Sequence, residues 1–266
     1  MEKRLIARGV LAGAMGAMLA FVFARLVAEP VIGRAIEFED GRTEVAHAQG
    51  VHDHGIELFS RGVQANAGLG FGVLVFGVAL GALFAVSFCL IYGVYGPTKG
   101  VTARALSIRL AAGAFAVVYL VPFVKYPPNP PAVGRADSIG SRTVWYLVMV
   151  LASVVLALGA LWLAGRLAAR LGAWNAGLTA VGAYVAVIAV VMVVLPTVSE
   201  TPGPLRDASG VIIYRGFPAD VLYDFRLVSL GTQAVLWATI GLVFGMLTGR
   251  LLGERADAGR AASIAA

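Results

Sequence analysis

His47, His52 and His54 are the chain's three histidines, and they fall within eight residues of one another. Asp53 lies between two of them, and Glu37, Glu39, Asp40, Glu44 and Glu57 sit on either side. Imidazole nitrogen and carboxylate oxygen are the ordinary ligands of divalent transition metals. His52 and His54 are two residues apart, a spacing that points both the same way from extended backbone and apart from a helix. Gly50 and Gly55 disfavour a helix there, so the expectation is a loop in which His47 folds back to join the pair and Asp53, Glu44 or Glu57 adds an oxygen. Such a metal site suits capture and release, and it weakens below about pH 6 as the imidazoles protonate. The competing reading is a solvated polar loop that holds nothing.

These residues must be positioned by elements of an unusual composition. Hydrophobic residues make up 59% of the chain and charged residues 14%, against roughly 25% charged in a soluble domain. Apolar runs reach the length of about twenty residues that crosses a ~30 Å hydrocarbon core. The expected fold is an all-α integral membrane protein, a bundle of about six transmembrane helices. The runs are 5–28, 68–95, 110–124, 144–165, 174–195 and 228–249. The third is short between Arg109 and Lys125, and either borrows a turn from 103–108 or is partly re-entrant. A single membrane domain over 1–253 is expected, with the histidine loop at 29–66, a proline-rich loop at 125–143 and a short flexible tail at 254–266. The first run lacks a small-x-small cleavage pattern and is read as an uncleaved helix. Lys and Arg are denser in 1–8, 96–109, 166–173 and beyond 249 than in the longer, acid-rich segments between. Both termini are therefore expected in the cytoplasm, with the histidine and proline-rich loops outside. The net charge of +6 is spread over short loops with no basic, aromatic-interleaved patch, which argues against a nucleic-acid partner. Cys89 lies inside an apolar run and is read as packing.

A weak repeat runs through these segments. The odd ones end in proline beside polar residues (Glu29-Pro30, Pro122 with Lys125, Pro196 with Glu200), and the even ones open with Arg61, Arg142 or Arg226. Three related helical hairpins would give this pattern; so would the general habit of placing charges at helix ends. Gly9/Gly13, Gly77/Gly81 and Gly241/Gly245/Gly249 recur at four-residue spacing, which suits close helix packing in lipid. No acidic residue lies deep in any run, which argues against simple proton coupling. Polar groups gather at the outer ends instead. Glu29, Gln64, Lys125, Asn129, Glu200 and the slightly deeper Gln233 are candidates for a gate or pathway. Arg61, Arg142 and Arg226 stand at the same level, so pairing of acids with arginines is the alternative role. The stretch 121–134 is expected to be non-helical, its free carbonyls either lining a pathway or forming a stiff linker. No nucleophile or acid–base constellation lies within the runs, so an enzyme is not expected, nor a permanently bound cofactor.

Specific motifs are spread along the chain: Ala28-Glu29-Pro30, Ser60-Arg61-Gly-Val-Gln64 and Tyr119 through Pro122, Lys125, Tyr126, Asn129 and Gly134. They continue in Leu195-Pro196, Glu200-Thr-Pro202, Phe217-Pro-Ala, Phe225-Arg226, Gln233 and Leu236-Trp237-Ala238. In these motifs the chain resembles the CbtA family, the membrane subunit of a proposed cobalt transporter. The resemblance covers nearly the whole chain, and the proline motif is its most specific part. The resemblance implies a multi-pass bacterial inner-membrane protein that takes up cobalt, linked to cobalamin supply. It also implies a small partner, CbtB, with one membrane helix and its own histidines, and five spans where run lengths give six. Nickel or another divalent cation as cargo, and a metal-binding scaffold or sensor that does not transport, are the alternatives.

Overall fold

The computed structural model describes residues 2–50, 68–95 and 100–252. Five helices in it are long and apolar enough to cross a membrane. They are α1 (Glu2–Ala48), α2 (Leu69–Tyr95), α3 (Ala103–Lys125), α4 (Ile139–Val194) and α5 (Ala219–Leu251). A two-stranded antiparallel hairpin, β1 (Leu205–Arg206) with β2 (Ile212–Tyr214), lies between α4 and α5.

The 56-residue α4 accounts for the difference between five helices and six crossings. Ser153 Oγ lies 2.7 Å from Tyr184 Oη, although the residues are 31 apart. A straight helix would separate them by about 46 Å. The chain reverses at Gly172, whose φ of 75° and ψ of 160° interrupt the helix. That φ is readily adopted only without a Cβ. Runs 144–165 and 174–195 are thus the two arms of one hairpin. The third run does borrow its missing turn, since α3 begins at Ala103, where Thr102 Oγ1 accepts from the Ala105 N–H at 3.2 Å.

Two prolines expected to end helices do not. Pro30 lies inside α1 and Pro122 inside α3, each two residues after a π-helical stretch, Ala24–Ala28 and Phe115–Leu120. In the first stretch the Glu29 N–H bonds the Ala24 carbonyl, five residues back. Widening the helix in this way accommodates a residue whose ring collides with the carbonyl four positions earlier. Pro196 behaves as expected: Leu195 before it is extended and α4 has ended.

The loop expected from residue 29 is therefore helix as far as Ala48. Its cause is visible in the burial of Ala28, Val31, Ala35 and Phe38, whose spacings of three and four residues make one face of a helix. Charged residues and Pro30 hide this stripe from a run-length reading. Gly50, at φ 83°, stops the helix, and its N–H bonds the His47 carbonyl at 2.9 Å.

The described chain divides into two compact units, one holding residues up to 31, 68–115 and 227 onward, the other holding 32–50 and 116–226. In the first unit α1 and α2 meet through glycine. A Cβ on Gly81 would overlap the Gly9 carbonyl, and one on Gly13 would overlap the Gly77 carbonyl. On α5, a Cβ on Gly241 would come within 2.6 Å of the Ala111 methyl. Phe88 and Phe244 are fully buried, their ring centroids 5.0 Å apart. In the second unit, Phe38 packs against Phe217 and Tyr214 with centroids at 4.9 and 5.4 Å. Arg42 donates to the Gly203 carbonyl at 2.8 Å, and Arg34 pairs with Asp224 at 2.6 Å. These contacts fix the extension of α1 on the segment that contains the hairpin and on the start of α5.

Also in the second unit, Ser153 Oγ donates to the Val117 carbonyl at 2.6 Å. In i→i+5 geometry the donor for that carbonyl would come from residue 122, a proline without an N–H. The serine replaces it where water is scarce. Ser153→Ala is expected to lower the unfolding temperature in detergent, at a cost of about 1–3 kcal/mol for the orphaned groups. Gly81→Val should prevent recovery of monodisperse protein, because backbone rather than a mobile side chain lies in the way. Gly93→Ala, with nothing within 4 Å, should be tolerated in the same assay.

Candidate functional site

The second unit contains a cavity of about 500 Å³. Its walls come from the end of α3 (Tyr119, Phe123), the proline-rich segment (Tyr126 to Asn129), the start of α4 (Arg142, Tyr146), residues 198–201 and Arg226. The proline-rich segment is held shut at both ends. Tyr126 Oη donates to the Pro196 carbonyl at 2.8 Å, and the Arg135 N–H donates to Glu200 Oε2 at 2.9 Å. Ala132 takes a positive φ of 66°, and Gly134 one of 124°. A Cβ on Gly134 would overlap the Arg142 guanidinium, so the glycine is the floor on which that charge rests.

Glu200 is the hub of the polar contacts. Its Oε2 lies 2.8 Å from Ser138 Oγ and 3.5 Å from Arg142 Nε. The Ser138 hydroxyl, the Arg135 N–H and the guanidiniums of Arg142 and Arg135 hold its carboxyl below the usual carboxylate range. Glu200 is thus engaged with an arginine, the arrangement weighed as the alternative to a gate. Across the cavity, Arg226 donates to Asn129 Oδ1 at 3.2 Å.

Of the candidate pathway residues, Asn129 and Glu200 meet in this cavity. Lys125 does not line it; its Nζ lies 3.5 Å from Thr197 Oγ1. Glu29 and Gln233 belong to the first unit, Glu29 within α1 rather than at its end. His47 occupies the last turn of α1. His52, Asp53, His54, Gln64 and Arg61 lie outside the described residues, as does the tail at 254–266. Among the described residues, no group of three His, Cys, Asp or Glu is arranged to hold a metal ion. Sequence reasoning missed Tyr119 and Tyr146 as cavity walls and Ser138 as a partner of Glu200. A signal existed: Tyr119 lies three residues before Pro122 and Tyr146 four after Arg142, one helical turn from positions already singled out.

The depressed carboxyl has a pH consequence. A group whose folded pKa lies below its unfolded one stabilises the fold above the unfolded value, and that contribution is lost as pH falls through the folded value. Unfolding temperatures of the wild type and of Glu200→Gln, taken in detergent from pH 7 to 3, should differ most near pH 7. The difference should shrink below the ordinary value of 4.5 as Glu200 is protonated. A gap independent of pH would mean that the carboxylate charge does not matter there.

Comparison with known proteins adds the lineage. No curated protein and no solved structure matches the chain. A family model described as "Probable cobalt transporter subunit (CbtA)" matches residues 2–249. That match takes in all five long apolar helices apart from the last residues of α5, and the cavity between 119 and 226. This multi-pass membrane chain belongs to the CbtA family of probable cobalt transporter subunits.

Proposed function

We propose that the chain is the transmembrane subunit of a divalent-metal uptake system, with cobalt as the cargo, and that it performs no enzymatic reaction. The observation that carries this reading is the family match along residues 2–249, together with the polytopic apolar helices. Capture falls to His47, His52, His54 and Asp53 on the outer side, with both termini cytoplasmic in the bacterial inner membrane. His47 ends a helix, and a glycine with positive φ follows three residues later. Glu29, Gln64, Lys125, Asn129, Glu200 and Gln233 are proposed as gate or pathway residues, with Glu29 and Glu200 the next to meet the metal. The description as a subunit implies a partner; a single-helix, histidine-bearing membrane protein of the CbtB kind is the one proposed.

A second reading, a metal-binding scaffold or sensor that does not itself conduct, is favoured by one observation. The cavity carries two guanidiniums against one carboxylate, a poor surface for a bare dication.

Radiolabelled cobalt accumulation separates the two. Cells with the chain and its partner should accumulate cobalt above cells lacking either, and replacing the three histidines by alanine should return uptake to background. Uptake undiminished in the triple variant would end the capture role. Cobalt bound by membranes carrying the chain, with no accumulation inside cells, would favour the scaffold. A parallel series with nickel identifies the cargo.

A further inference from the structure

The cavity's charge is more consistent with an anion than with a metal. Glu200 is committed to Arg142, Ser138 and the Arg135 N–H, so the second guanidinium is left uncompensated. Arg226 forms no ion pair among the described residues, and its partner there is the neutral Asn129 amide at 3.2 Å. Its Nε is shielded from solvent and has no acceptor among the described residues. The two acids nearest in its own helix, Asp220 and Asp224, both face Arg34, at 3.7 and 2.6 Å. A guanidinium offers five N–H donors in a planar fork, and leaving them unmet in a membrane protein is costly.

We propose that this cavity binds an oxyanion, a carboxylate or phosphate group, on the guanidinium of Arg226. The volume of about 500 Å³ falls in the ordinary range of small-molecule sites, roughly 300–1,000 Å³. Planar two-oxygen groups match the fork of an arginine, and Ser199, Thr201, Tyr119 and Tyr146 supply hydroxyl-bearing walls around the remaining oxygens. Asn129 holds the guanidinium in place and supplies no charge to cancel it. The anionic oxygens come either from a free small anion or from a lipid headgroup. The inference shares Asn129 and Glu200 with the proposed metal pathway but rests on the cavity's charge, and it does not depend on the histidines or on the cargo.

The test uses the purified full chain. Citrate and inorganic phosphate are titrated calorimetrically into the protein in a neutral detergent. Phosphatidylglycerol and phosphatidylcholine nanodiscs are compared for retained lipid by native mass spectrometry. Two variants accompany the wild type: Arg226→Gln, which removes the charge, and Asn129→Asp, which is nearly isosteric and sets an internal carboxylate against Arg226. Each should weaken binding by about tenfold or more, the scale of a charge-assisted hydrogen bond. If Arg226→Gln fails to fold, Asn129→Asp carries the comparison. Saturable citrate or phosphate binding, lost in the variants, identifies a free anion. Selective retention of phosphatidylglycerol, lost in the variants, identifies a headgroup. Absence of binding by every probe, or binding unweakened in each variant that folds, overturns the proposal.

Discussion

A proline inside a membrane-spanning helix leaves a carbonyl without its donor in a place where water cannot replace it. Much of this structure follows from how that deficit is met. Pro30 and Pro122 are each preceded by a π-helical stretch, which moves the mismatch back along the helix and keeps the remaining backbone bonded. In α3 the leftover carbonyl of Val117 is taken by Ser153, and the same serine meets Tyr184 on the returning arm of α4. One missing N–H thereby links three helical stretches through a polar cluster within an otherwise apolar interior.

The second organising feature is glycine. Helices in lipid gain little from hiding apolar surface from each other, so association depends on how closely backbones approach. Gly9, Gly13, Gly77 and Gly81 bring α1 against α2 until each carbonyl touches the facing chain. In the second unit the glycine serves electrostatics instead: Gly134 gives up its side-chain volume to the Arg142 guanidinium. That arginine in turn faces Glu200, whose carboxylate offsets its charge and leaves Arg226 as the cavity's excess cation.

Legibility from sequence followed the strength of each physical signal. Apolar run length located every long apolar helix among the described residues, and the four-residue glycine spacing marked the α1–α2 contact. Run length failed where burial is confined to one stripe: Val31, Ala35 and Phe38 extend α1 through a stretch dense in charge, and proline was taken as a stop where a π stretch absorbs it. In the cavity, Asn129, Arg142, Glu200 and Arg226 were marked by being polar at the edges of apolar runs. Tyr119 and Tyr146 sit within apolar runs and carried no polar signal of their own. Ser138 carried no signal, because its role depends on a loop that folds back over 62 residues of sequence to reach Glu200.

The reversal at Gly172 has a mechanical consequence. A hairpin joined by a single non-helical residue has no slack, so neither arm of α4 can slide along the other without unwinding a turn of helix. What the joint does permit is rotation about one backbone position. The polar bond between Ser153 and Tyr184, well away from that hinge, then acts as a clasp on a pair of tongs.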